Sequence, residues 1–296
     1  MAARTLSPAT AFGVGALGIA VFSAMDAVMK GLSLDIGAYN ALLWRSFAAI
    51  VIAAVPYLIG RPAMPERTAM RLHLIRGVVS AVMAILFFWG LARVPMAQAI
   101  ALAFIAPLIA LFLAAVILKE RIGRASVVAS AIAFAGVLAI LAGQARAELG
   151  HEAFLGAIAV LGSAVCYAFN IILMRAQSLV AGPVEVAFWQ NVTVAVCLAL
   201  PAPWFAAVPA LHHAPMLVLA AALATASLLL LSWAYAHGPA SYLAPTEYTA
   251  FIWASLFGWT VFGETLSPWT VAGAALIVTG CVIAARSRPQ IEETPA

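Results

Sequence analysis

The sequence predicts an all-α integral membrane protein of ten transmembrane helices, arranged as two inverted five-helix repeats. Three observations predict it. Of the 296 residues, 66% are apolar and 9% charged, where soluble domains carry roughly 45–50% and about 25%. The apolar residues gather into ten runs, each near the roughly 20 residues a helix needs to cross a hydrocarbon layer. The second half of the chain also repeats the first in the register of its Trp, Pro and Glu residues.

In chain order the runs cover 9–29, 39–59, 74–92, 96–118, 125–143, 154–174, 184–206, 215–236, 240–262 and 269–285. Strands of a membrane barrel would be about 10 residues long and would alternate apolar with polar; these runs are longer and do not alternate. The breakers Arg61-Pro62, Pro65-Glu66, Val94-Pro95, Gly182-Pro183, Gly238-Pro239 and Ser267-Pro268 fall between runs. The first run is too long for the apolar part of a signal peptide and has no clear small-residue cleavage site, so it is expected to remain in place. The longest connection, Gly60–His73, leaves no room for a soluble or nucleotide-binding domain.

Composition excludes other classes. Fifteen basic and eleven acidic residues are too few to cover a water-soluble surface, and a mean hydropathy of +1.08 excludes disorder, which needs low hydrophobicity and high charge. The net charge of +4 is spread through loops rather than gathered on one face, so no nucleic-acid partner is implied. Cys166, Cys197 and Cys281 lie far apart inside apolar runs, without metal-ligand spacing.

Ten crossings place both termini on one side. Arg4, Arg61, Arg67, Arg71, Arg76, Lys119, Arg121, Arg124, Arg175, Arg286 and Arg288 fall on that side, and Lys30, Arg93 and Arg146 on the other. Positive charge in short loops marks the cytoplasm, so both termini are expected to be cytoplasmic in a bacterial-type inner membrane.

At an offset of 144, Trp89 falls on Trp233, Ala92 on Ala236, Pro95 on Pro239, Glu120 on Glu264 and Gly136 on Gly280. At an offset of 145, Lys30 falls on Arg175, Trp44 on Trp189, Arg45 on Gln190 and Pro56 on Pro201. The expected units are residues 1–146 and 147–296. Five crossings are an odd number, so the second unit enters the membrane from the opposite side. An inverted repeat is the signature of alternating access, with substrate held between the halves near the midplane.

The stretches 87–141, beginning FFWGLARVPMAQAIAL, and 231–284, beginning LSWAYAHGPASYLAP, resemble the repeat of the EamA family in the drug/metabolite transporter superfamily. Each has an apolar helix, a short turn, a second helix ending at a Glu (Glu120, Glu264) and a last helix with a Gly (Gly136, Gly280). Lys30 and Arg45 resemble the family's first two helices, and the chain looks most like YddG-type exporters of aromatic and other amino acids. The resemblance implies ten helices, a central cavity lined by the third and fourth helices of each half with help from the first, and outward transport of small metabolites by a chain that suffices as a monomer. Gln190 stands where the first half has Arg45, so the implied cavity is asymmetric.

Ionisable residues within spans are costly and mark function by default; here they are Asp26, Arg45, Glu185 and Glu247. Lys30, Arg76 and Arg175 sit at span ends, where they can reach the headgroups. Asp26, read near the outer end of the first span, is expected at the depth of Arg45, so that Asp26 pairs with Arg45 or Lys30, as a structural pair or as a contact for substrate charge. Glu247, two residues after Pro245, is open to three readings: binding an amine, carrying a proton, or hydrogen bonding Tyr248 or Tyr242. Pro107 is placed to kink the fourth span, with or without a role in gating. Glu120 lies between Lys119 and Arg121, as a solvated helix-end pair would, whereas Glu264 has no basic neighbour in sequence.

Helical spacing puts Ser80, Met83, Phe87 and Gly90 on one face, Ile100, Phe104, Pro107 and Leu111 on another, and Ala244, Tyr248, Phe251 and Ser255 on a third. Such stripes are packing faces or cavity walls that stack on an aromatic solute. The substrate-binding candidates are therefore Ser23, Asp26, Met83, Phe87, Gln98, Phe104, Tyr167, Asn170, Ser227, Glu247 and Tyr248. The gating or structural candidates are Arg45, Pro107, Pro245, Glu120 and Glu264. No H-E-x-x-H, G-x-S-x-G or P-loop pattern occurs, and the acids form no catalytic pair; neither enzyme activity nor a cofactor or metal is expected. The expected function is export of small metabolites, aromatic and other neutral amino acids foremost. Carriage of another amphipathic metabolite or a cationic drug is the runner-up, and a non-transporting membrane interaction protein the alternative from another class.

Overall fold

A computed structural model describes residues 8–60, 64–118, 124–146, 150–237, 243 and 246–286. Among these the regular structure is entirely helical. The first repeat contains α1 (Pro8–Ile36), α2 (Ala38–Ile59), α3 (Arg67–Leu91), α4 (Met96–Ala103), α5 (Ala106–Leu118) and α6 (Arg124–Arg146). The second contains α7 (Gly150–Ser178), α8 (Pro183–Ala199), α9 (Ala202–Phe205), α10 (Ala214–His237), α11 (Thr249–Phe262) and α12 (Pro268–Arg286); one short 3-10 turn, Leu211–His213, directly precedes α10.

Five helices are long and apolar enough to cross a bilayer: Thr10–Ile36, Ala38–Ile59, Arg67–Leu91, Gly150–Met174 and Leu211–His237. The shorter apolar helices Met96–Ala110, Val127–Gly143, Val184–Ala199, Thr249–Phe262 and Pro268–Ile283 fall on the other five predicted crossings. The chain is a multi-pass membrane protein. Its outer faces are apolar because lipid is their solvent: Val51, Val55 and Leu58 of α2 are exposed, while Leu42, Ser46 and Ala49 of the same helix are buried.

Several boundaries differ from the sequence reading; the third crossing, α3, for one, starts at Arg67 rather than near 74, and the sixth, α7, runs Gly150–Ser178 rather than 154–174. The first helix continues to Ile36 rather than stopping near 29, because Lys30 is buried at 4% exposure with partners of its own and does not need a loop. Asp26 therefore stands ten residues before the helix end, about 15 Å deep at 1.5 Å per residue, and not near the outer end. Gly37 then turns the chain at φ +80°, a conformation side chains disfavour, so that α2 starts one residue later. The seventh crossing stops at Ala199 because Pro201 and Pro203 cannot continue its ladder. The chain beyond it folds back on α2, where Asn40 Oδ1 accepts the Ala207 N–H (2.9 Å) and Trp44 Nε1 donates to the Ala207 carbonyl (2.9 Å). The fourth crossing is interrupted outright between α4 and α5, where a kink was expected.

The repeats interlock. Each of the main helix pairs joins one helix from each repeat: α1 on α10, α3 on α7, α2 on α8 and α6 on α12. Lipid tails compete equally well for apolar side chains, so such pairs rely on close approach of small residues. A Cβ on Gly136 would lie 2.6 Å from the Gly273 carbonyl oxygen, and one on Gly280 would lie 2.5 Å from that of Ala129. Positions 136 and 280 are repeat equivalents, as are 129 and 273, so the α6–α12 seam contains the same contact twice, as an isologous interface requires.

Gly136→Ala is expected to lower the thermal midpoint of the detergent-solubilised protein, with an overpacking cost of about 1–3 kcal/mol. Gly31→Ala, at a site where a Cβ meets nothing within 4 Å, is expected to be neutral or stabilising because Ala is the better helix former. Equal midpoints for the two variants would contradict the close-packed seam.

Candidate functional site

The site is organised around two interruptions at equivalent positions. Phe104 and Tyr248, 144 residues apart, each hold the non-helical corner that precedes a half-helix, α5 and α11 respectively. In the first repeat Pro107, second residue of α5, has no N–H to donate. Leu108 N–H bonds to Ile105 O (3.1 Å) in place of the carbonyl four residues back. The Phe104 carbonyl is thereby released and accepts from Cys281 Sγ at 3.2 Å. Cys281 also contacts the Tyr248 hydroxyl, so one thiol on α12 touches both corners. The two rings meet edge to face, 5.5 Å between centroids, a favoured aromatic geometry. An aromatic contact thus sits where the two repeats cross.

Toward one end, here the Lys30 end, the repeats are joined by charge. Gly263, at φ +66°, ends α11 with a turn that returns the Glu264 N–H to the Gly258 carbonyl (3.0 Å). The Glu264 carboxylate reaches the first repeat: Oε1 accepts from Lys30 Nζ and Oε2 from the Met96 N–H at 2.7 Å, capping the first turn of α4. Lys30 Nζ also donates to the Val94 carbonyl (2.7 Å) and lies 5.2 Å over the Phe262 ring. The sequence showed no basic neighbour for Glu264; the fold supplies one from 234 positions away.

Toward the other end, the His73 end, polar groups converge from four helices. Tyr235 OH (α10) donates to Glu247 Oε1 at 2.8 Å, so Glu247 takes its tyrosine from α10 rather than from Tyr248; Tyr242 lies outside the described residues. Tyr167 (α7) has both Glu247 and Arg76 (α3) as electrostatic neighbours. Tyr167, Tyr235 and Glu247 are exposed, although they project from different helices toward one another. Behind them runs a chain of bonds: Arg76 Nη1 donates to Gln177 Oε1 (2.6 Å), and the Gln177 amide donates to His73 Nδ1. The ring proton of His73 then belongs on Nε2, which faces Glu185 Oε1 at 3.0 Å. Sequence reading placed His73 at a span end; it is fully buried.

Asp26 and Arg45 are electrostatic partners, whereas Lys30, the other partner considered for Asp26, is engaged by Glu264. Both Asp26 oxygens, Arg45 Nε and Ser23 Oγ are buried without a hydrogen bond among the described residues. Met83, Asn170 and Ser80 meet in the α3–α7 seam, where Ser80 Oγ donates to Asn170 Oδ1 (3.1 Å) and Asn170 Nδ2 to Met83 Sδ (3.4 Å). Ser227, the repeat equivalent of Met83, donates to the Gly18 carbonyl (2.9 Å) in the α1–α10 seam. Phe87 packs edge to face on Phe88, 5.2 Å between centroids. Gln98 is buried at 3% exposure and lines a cavity of about 210 Å³ beside Glu264. Glu120 and Pro245 lie outside the described residues.

The sequence reading named Phe104, Tyr248, Glu247 and Glu264 among its candidates, without the contacts described above. It missed Lys30 as the partner of Glu264, and the contributions of His73, Arg76, Gln177, Tyr235 and Cys281. Of these, only the alignment of Lys30 with Arg175 and of Glu264 with Glu120 carried a signal, by placing one charge of each sign at a fixed place in both repeats.

A profile described as the EamA-like transporter family matches residues 10–142 and 154–286, one copy on each repeat. A pseudopaline exporter of Pseudomonas aeruginosa is 27% identical over 90% of this chain and 93% of its own. A riboflavin transporter of Rhizobium johnstonii is 29% identical over 96% of this chain and 94% of its own. A Streptantibioticus cattleyicolor protein named as a probable terminal-alkyne amino-acid exporter is 31% identical over 79% of this chain and 78% of its own. A solved crystal structure aligns with a TM-score of 0.59 at 20% identity, over 95% of this chain and all of that one, which shows a shared fold.

Asp26 and Arg45 influence one another electrostatically without a direct ion pair among the described residues, and removing either leaves the other less well compensated. Asp26→Asn and Arg45→Gln are each expected to destabilise the protein, and the double variant to be more stable than the two single costs predict, with a coupling of about 1–3 kcal/mol. A double-mutant cycle on thermal unfolding measures it; additive costs would remove the pair from the structure's support.

Proposed function

The chain belongs to the EamA-like transporter family, and on that premise we propose that it is an alternating-access exporter of small amphipathic metabolites, with aromatic and other neutral amino acids as its substrates. It is a transporter and not an enzyme, as are the relatives. The observation that carries the proposal is the asymmetry of the two ends about the Phe104–Tyr248 contact. A carrier loads from one side while the other is shut, and here the Lys30 end is bridged by charge while Arg76, Tyr167, Tyr235 and Glu247 line the His73 end.

Positive charge in the loops supports cytoplasmic termini, which makes the His73 end cytoplasmic and the Lys30 end external. A solute entering from the cytoplasm then meets a carboxylate at Glu247 and a guanidinium at Arg76, with Tyr167 as electrostatic neighbour of both and the Phe104 and Tyr248 rings beyond. That arrangement suits a molecule carrying an ammonium, a carboxylate and an apolar body: Glu247 binds the first, Arg76 the second, and the rings stack on the third. Asp26, with Ser23 and Arg45 beside it, forms the polar part of the wall, and Met83, Phe87, Asn170 and Ser227 fix its helices. The divide between the moving units falls near 146/147, and a single chain holds both halves of the cavity. A relative named as an amino-acid exporter favours this solute class. A relative named as a riboflavin transporter favours the second reading, another amphipathic metabolite.

Counterflow in proteoliposomes preloaded with single amino acids tests the proposal. Saturable exchange of aromatic or other neutral amino acids is expected. Glu247→Gln is expected to raise the half-saturating concentration roughly tenfold to a hundredfold, the loss of one charge-assisted hydrogen bond, and to leave protein yield unchanged. Exchange of riboflavin-like or cationic solutes alone would transfer the site to the second reading.

A further inference from the structure

We infer that solute leaves the protein through the cleft between α4 and α11 at the Lys30 end, and that Lys30 and Glu264 form the latch that shuts it. The cleft is the cavity of about 210 Å³ lined by Gln98, Ala254, Ser255, Glu264 and Thr270, among others. Its position defines its use. Gln98 lies six residues before Phe104 on the first repeat, and Ser255 lies seven after Tyr248 on the second. The cleft therefore lies on the Lys30 side of the aromatic contact, where α4 and α11 meet the connection after α11, Gly143 of α6 and Thr270 of α12. Gln98 is buried at 3% exposure and its amide nitrogen has no hydrogen-bond partner among the described residues. A buried amide without a partner is a donor waiting for an acceptor, and in this cleft it can serve the oxygen of a passing solute.

The latch crosses the repeat boundary. Lys30 belongs to α1, and Glu264 follows α11. Lys30 ties the carboxylate to the Val94 carbonyl, and Oε2 of the same carboxylate holds the Met96 N–H at the start of α4. The partial positive charge at a helix start favours a carboxylate there. Opening must break these bonds together, because one carboxylate carries both the ion pair and the cap. Its release frees α4, and α4 ends at Phe104, so the latch and the aromatic contact are the two ends of a single eight-residue helix. Gly258 leaves the room: a Cβ there would lie 2.5 Å from Glu264 Oε2.

The test needs no substrate, so it stands apart from the identity of the exported solute. Ser255→Cys serves as reporter in lipid nanodiscs, where both ends of the protein are reached, and a membrane-impermeant maleimide is the probe. The labelling of the chain without the reporter is the blank for the native cysteines. Lys30→Met and Glu264→Gln are each expected to speed labelling of the reporter by about tenfold or more, since a population shift of that size follows from losing a closing contact of that class. The double variant is expected to label no faster than the faster single one, because the two residues act as one latch. Unchanged labelling in the folded variants would overturn the latch, and additive increases would overturn the shared mechanism. Should Glu264→Gln fail to fold, Lys30→Met reads the same closure from the other side of the pair, and unchanged labelling there is equally decisive.

Discussion

Hydrocarbon offers no hydrogen bonds, so a polar group taken into it is costly unless it finds a partner within the protein. That constraint shapes the molecule at each point where the helices depart from regularity. The interruption before α5 releases the Phe104 carbonyl, and Cys281 of α12 meets it. The end of α11 throws Glu264 across the repeat boundary, where Lys30 and the first N–H of α4 receive it. At the opposite end Arg76, Gln177, His73 and Glu185 complete one another in a row. In all three places the partner comes from a different helix and from the other repeat.

The same constraint explains why the repeats exchange helices instead of standing side by side. With lipid competing for every apolar side chain, stability comes from close packing and shared polar contacts. The pairs α1–α10, α3–α7 and α6–α12 supply both. Glycine and alanine permit backbone approach in the α6–α12 seam, and Ser80–Asn170 and Ser227–Gly18 bond across the other two. An interlocked pair of repeats gives a bundle whose halves can tilt against each other only where their contacts are few and specific. The Phe104–Tyr248 contact and the Lys30–Glu264 pair are contacts of that kind, one at the crossing of the repeats and one at its end. Solute binding, helix interruption and closure are thereby placed along a single line through α4 and α11.

Departures from exact repetition give this line its direction. Arg45 has Asp26 as an electrostatic partner, whereas its equivalent Gln190 is uncharged, with a buried oxygen that has no hydrogen-bond partner among the described residues. Glu247 stands where the first repeat has Ala103, and Tyr248 where it has Phe104. The symmetric scaffold lets two states exist; the asymmetric residues decide which solute is held and which state holds it better.

Composition and periodicity alone determined the class of this protein. A chain with 9% charged residues and ten apolar runs has no stable arrangement in water, and an odd number of crossings in each repeat forces inversion. A bend in the fourth crossing was also legible, because Pro107 pointed to it, although the structure interrupts the helix there rather than kinking it. What the tertiary structure decided were the pairings. Lys30 read as a residue for the headgroups and Glu264 as an unpartnered acid, since nothing in linear order links positions 234 residues apart. Asp26 read as shallow because a lysine four residues on looked like the end of a helix, when that lysine was held inside by its carboxylate. Helical spacing assigns a side chain to a face, but which face meets which is settled only when the helices pack, and in a membrane it is there that charge finds charge.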